Sequence, residues 1–119
     1  MPGDPSKEGF DRWLKEHAAG TGLLGAGIVH RDRSCNSHSH SDGYPTADLD
    51  AAWACLAETT KTLRLCRVQP YRMRWTFEQA QIQFVLRPDG TALGLITAAC
   101  LTPPAPEWVE SLIQGFLQL

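Results

Sequence analysis

Apolar residues in this chain recur at helical spacing, then strand spacing, then helical, strand and helical spacing again. Read that way, the order is helix, two strands, helix, three strands, helix. Within 119 residues this order fits one domain, spanning 1–119, in which a single sheet carries helices. Such a chain buries roughly two-thirds of the surface that its unfolded form exposes.

The local signals are specific. Residues 6–18 read as a helix, with Ser6 as N-cap, Glu8 in the first turn, and Phe10, Trp13, Leu14 and His17 as one buried stripe. Residues 22–30, GLLGAGIVH, read as a buried central strand, and Gly25 and Gly27 on one face predict a close neighbour there. RDRS at 31–34 is a turn without glycine, and CNSHSHSD at 35–42 reads as a polar edge strand. After the DGYPT loop, Thr46 is placed to cap a second helix. Its core stripe is Leu49, Ala52, Trp53, Leu56, Thr60 and Leu63, and it ends near Arg67, before Pro70.

Residues 71–79 alternate clearly. Tyr71, Met73, Trp75 and Phe77 share one face, and Arg72, Arg74, Thr76 and Glu78 the other. Residues 80–98 read as a hairpin around Arg87-Pro88-Asp89-Gly90, because proline presets one turn dihedral and glycine supplies the positive one. A proline-rich break at 101–106 precedes a third helix with Pro106 in its first turn and Trp108, Val109, Leu112, Ile113 and Phe116 as its stripe.

This order, carried by GLLGAGIVHRDRS, the Leu49–Leu63 helix and the FVLRPDGTALGLIT hairpin, resembles the Roadblock/dynein light chain domains, relatives of the profilin-like and longin folds. The chain departs from that family at RDRS, where a glycine is usual, and in the polarity of CNSHSHSD. The resemblance implies an α+β fold: a five-stranded antiparallel sheet in α-β-β-α-β-β-β-α order, with two helices on one face and the middle helix on the other. It also implies a homodimer, or a heterodimer with a similar chain, made by the strand after the middle helix and by the middle helices themselves. Relatives scaffold motor complexes, or regulate or scaffold small Ras-like GTPases.

The residues fit a dimer on independent grounds. An edge strand with Tyr71, Met73, Trp75 and Phe77 on one face is an unprotected pairing template. Ala51, Cys55, Thr59, Thr62 and Cys66 form a ridge small enough for two helices to approach closely. The competing reading packs that ridge on the protein's own sheet. For a GTPase partner, the expected docking surface is Asp50, Ala54, Glu58 and Lys61 on the middle helix, with Arg64, Arg67, Arg72 and Arg74 clustered around its end and the next strand. The competing reading is an ordinary solvated face.

Other classes find little support. A net charge of −2 argues against a nucleic-acid binder. There is no apolar run long enough for a bilayer and no signal-peptide pattern at the N-terminus, so the expectation is a cytoplasmic protein that binds no membrane. The cysteines at 35, 55, 66 and 100 show no C-x-x-C spacing and read as free thiols packed as small hydrophobes. His38 and His40 share one side of a strand near His30 and Cys35, but one H-x-H pair is short of the three or four ligands of a zinc site. No nucleophile elbow or P-loop is present, so neither enzyme catalysis nor a cofactor is expected. Two alternatives remain open: a secretion-chaperone-like dimer, which would place three strands before the middle helix and two after, and a small metal-binding module.

Overall fold

The computed structural model describes residues 7–18, 20, 22–98 and 107–119. Their elements are α1 (Lys7–His17), β1 (Leu23–Val29), β2 (Cys35–Ser39), α2 (Thr46–Leu65), β3 (Arg72–Thr76), β4 (Ala80–Leu86), β5 (Ala92–Ala98) and α3 (Glu107–Leu117). The strands form one antiparallel sheet in the order β2-β1-β5-β4-β3. The expected element order and sheet are therefore present. Two strands precede α2 and three follow it, which is the reverse of the secretion-chaperone arrangement. Ser6, the proline-rich break and Pro106 lie outside the described residues.

Alternation along the strands sorts the core into two layers. Ala26, Ile28, Val85, Leu93 and Leu95 meet Phe10 and Leu14 of α1 and Val109, Leu112, Ile113 and Phe116 of α3. On the other face Val29, Phe84, Leu86, Ala92 and Ile96 meet Leu49 and Trp53 of α2. Two helices thus cover one face and the middle helix the other. His17 does not complete the α1 stripe: it is exposed, stacked on Trp13, with Nδ1 2.9 Å from the Trp13 carbonyl.

Glycine sets how closely α2 approaches. Gly27 and Gly94 are cross-strand partners beneath Trp53, and a Cβ on Gly94 would stand 2.5 Å from the indole Cε3. Gly25 leaves similar room for Leu49. The expected close neighbour is therefore α2, and its indole is fully buried in a trench without side chains.

The helix ends differ from expectation. Thr46 lies inside α2; the N-cap is Pro45, with no side-chain cap. α2 stops at Leu65 because Arg67 turns to φ 65°, and the Val68 N–H then reaches the Leu63 carbonyl at 2.9 Å and the Arg67 N–H the Arg64 carbonyl at 3.0 Å. That closure usually falls to glycine.

The RDRS turn closes similarly, with Arg33 at φ 75° and the Asp32 carboxylate accepting from the Ser34 N–H and hydroxyl. β2 is three residues shorter than expected, and its polarity has a use. Its residues reach both helices: His38 Nε2 lies 2.7 Å from Asp11 Oδ1 on α1, and the Ser37 hydroxyl donates to Asp50 on α2. No described helix is long and apolar enough to cross a membrane.

Candidate interaction surface

α2 turns about 100° per residue, so bonds on one side fix where the rest point. Asp50 accepts from Ser37, and Glu58 accepts from Arg33 at 2.6 Å, which marks the flank above β2 and its turn. Leu56 packs in the same cluster as Met73 and Trp75, which marks the flank toward β3. Asp50, Ala54, Glu58 and Lys61 therefore run down the β2 side. Ala51 and Thr62 stand on the crest, and Cys55, Thr59 and Cys66 fall between the crest and the β3 side. All nine are exposed. The ridge does not pack on the protein's own sheet, and Cys55 and Cys66 are surface thiols rather than the packed hydrophobes expected; Cys35 is half-buried, and Cys100 lies outside the described residues.

Among the described residues β3 is an edge, paired only with β4. The strand expected over 71–79 is formed only over Arg72–Thr76; Met73 and Trp75 are partly buried against the α2-side core, whereas Tyr71 and Phe77, which flank the strand, are 71% and 53% exposed. Leu65 (78%) and Val68 (49%) are also bare. Four of the five large exposed hydrophobics among the described residues thus fall between 65 and 77. A concentration of this kind marks a surface that another protein covers.

By sequence, no family model matches the chain and no curated protein is similar to it. By structure it is similar to Myxococcus xanthus MglB (TM-score 0.63, 10% identity, covering 91% of this chain and 81% of that one). It is similar to a Roadblock/LC7 domain from Streptomyces avermitilis (0.60, 12%, 92% and 98%) and to an MglB in a tetrameric arrangement (0.57, 14%, 99% and 91%). The chain has the Roadblock/LC7 fold.

On this Roadblock/LC7 fold the arginines expected to cluster are divided by the sheet. Arg64 is on the α2 side. Arg72 points to the opposite face, where Nη1 and Nη2 donate to the Glu110 carboxylate at 2.9 and 2.6 Å and Nη2 also donates to Gln83 Oε1 at 2.7 Å. Bonding to Glu110 lifts the Arg72 guanidinium still higher and holds the Glu110 carboxyl below its ordinary range. Arg72 is thus a structural tie between β3, β4 and α3. Arg74 and Arg67 are exposed. The alternation at 71–79 separates Arg72 and Arg74 from Arg64, and the sequence alone hid how far apart that places them.

A cleft of about 300 Å³ lies between the C-terminal half of α2 and the two turns, lined by Arg33, Thr60, Lys61, Arg64 and Asp89 among others. The imidazole of neighbouring His30 turns the other way, toward Phe10. Among the described residues no three His, Cys, Asp or Glu side chains converge as a metal site.

Proposed function

We propose that this protein is a non-catalytic dimeric binding protein of the Roadblock type, a regulator or scaffold for a small Ras-like GTPase. The observation that carries the dimer is the coincidence of an unpaired β3 edge, the bare Tyr71 and Phe77, and an exposed small-residue ridge on the adjoining flank of α2. Antiparallel pairing of two β3 strands satisfies the free backbone groups of that edge and covers the apolar side chains. The small ridge lets the two α2 helices approach above the joint. A symmetric contact of this kind uses the same patch on both copies. Assembly of a structural neighbour, the MglB with a tetrameric arrangement, supports the same direction.

The GTPase reading rests on the resemblance and on the surface a dimer leaves free. With the β3 flank consumed, Ala54, Lys61, Arg64 and Arg67 stay open to a partner, while Asp50 and Glu58 are already tied to β2 and its turn. Light scattering on purified protein should give twice the chain mass. Immobilised protein should then retain a small Ras-like GTPase from the source cell mainly in one nucleotide state, GTP-analogue or GDP. A stable monomer that retains none in either state would overturn the proposal.

A further inference from the structure

Cations gather at one end of this molecule beyond what its composition requires. The net charge is −2, yet residues 59–77 hold five cations and no carboxylate. The cleft beside the C-terminal half of α2 concentrates this charge. Lys61 and Arg64 reach its rim from the helix, and Arg31 and Arg33 reach it from the β1–β2 turn. Like charges drawn round one cavity repel, and an anion among them relieves that repulsion.

The carboxylates nearby are already engaged. Asp89, the acid on the rim, accepts from the Thr91 N–H at 2.9 Å and from Arg87 Nε at 3.1 Å, so Arg87 balances its charge. Asp32 accepts from Lys7 and from the Ser34 hydroxyl. Glu58 accepts from Arg33 at 2.6 Å, but that bond takes Nη1 alone and leaves the rest of the guanidinium fork. Among the described residues Lys61 and Arg64 have no ion pair or side-chain hydrogen bond.

Both turns are shaped to present arginine. Arg33 holds φ 75°, in the left-handed region that glycine and asparagine enter most easily. An arginine kept in that conformation points to a use for its side chain. The stem of Arg31 lies over Gly90 of the facing turn, where an added Cβ would stand 3.3 Å from Arg31 Cγ.

We propose that this cleft binds a small phosphorylated molecule, with the phosphoryl group held among Arg31, Arg33, Lys61 and Arg64. A carboxylate carries one charge and suits one guanidinium. A phosphoryl group carries about two negative charges at neutral pH and offers three strong acceptor oxygens, which cations from two elements can share. Arginine forks match those oxygens, and lysine adds a point charge. The volume of about 300 Å³ stands at the lower end of small-ligand sites. It suits a small ester whose organic part rests against Val29 and Leu86, which line the same cleft. The site needs neither the dimer nor the GTPase proposed above.

The test titrates purified full-length protein at low salt with phenyl phosphate and, in a parallel arm, with benzoate. Backbone amides are followed by NMR and affinity by calorimetry. Phenyl phosphate should saturate, with shifts confined to the two turns and the C-terminal half of α2, and benzoate should bind far more weakly. Lys61→Gln and Arg64→Gln should each weaken phenyl phosphate about tenfold, the loss of one charge-assisted contact, with the urea midpoint unchanged. Arg33→Asn, which suits the same backbone conformation, should weaken it to a similar degree. Equal affinity for benzoate overturns the phosphoryl assignment. Shifts that rise without saturating, that spread to Arg67 and Arg74, or that persist in the variants mark an ordinary solvated basic face and overturn the proposal.

Discussion

Nη1 of Arg87 donates to the carbonyl of Phe116 at 2.6 Å, which ties the β4–β5 turn to the last turn of α3. Nη2 reaches the Leu119 carbonyl at 2.8 Å, Nε donates to Asp89 at 3.1 Å, and the guanidinium lies over the rings of Phe10 and Phe116. A cation at a helix C-terminus satisfies orphan carbonyls and complements the helix dipole. Only 7% of Arg87 is exposed, so these bonds are shielded from water.

Arg87→Leu should therefore destabilise the fold by about 2–3 kcal/mol, since charge-assisted bonds are lost and Asp89 keeps only its bond from the Thr91 N–H. Urea denaturation gives the magnitude. Hydrogen exchange should show the loss first in the amides of α3, while those of α2 stay protected; uniform loss would mean that Arg87 supports the whole sheet instead.

The trench under Trp53 gives a second expectation. Gly94→Ala places a methyl against the indole and should cost about 1–3 kcal/mol through overpacking. Trp53→Leu is itself destabilising, yet combining it with Gly94→Ala should cost less than the sum of the two, because the smaller side chain vacates the space the methyl needs. Additive costs would show that the methyl harms the strand for another reason.

Acid should destabilise the protein in two stages. Burial disfavours the charged form of His30, and neighbouring Lys7 adds to this, so its pKa lies below 6.5. The unfolded chain then binds the proton first, and stability falls as pH drops below about 6.5. Asp89 is pushed up by burial but brought down further by the Thr91 N–H and by Arg87, and its pKa falls below 3.8. Glu110, bonded to Arg72, lies below 4.5. Their contribution is complete above those unfolded values and is lost as pH falls beneath them. Urea midpoints between pH 8 and 3 should show both stages, and His30→Gln should flatten only the first.

The β3 edge is best probed at its bare positions. Tyr71→Glu or Phe77→Glu should lower the mass in solution to that of one chain while changing the unfolding free energy of that chain by no more than about 0.5 kcal/mol. Trp75→Glu confounds the two, since Trp75 also packs against the α2-side core. Variants at Tyr71 and Phe77 that remain dimeric would place the contact elsewhere.

The sequence by itself determined the elements, their order and the face each presents. Those follow from local periodicity: the 71–79 alternation, the Arg87–Gly90 turn and the paired glycines of β1 state their role within a few residues. Tertiary structure decided what stands opposite. β2 looked like an idle polar edge until α1 and α2 supplied Asp11 and Asp50 as partners. Arg72 looked like one of four clustered cations until the sheet came between it and Arg64. Arg87 looked like a turn residue until α3 ended beside it. Long side chains take partners from distant segments, and the register of packed elements fixes that choice; no local pattern carries it.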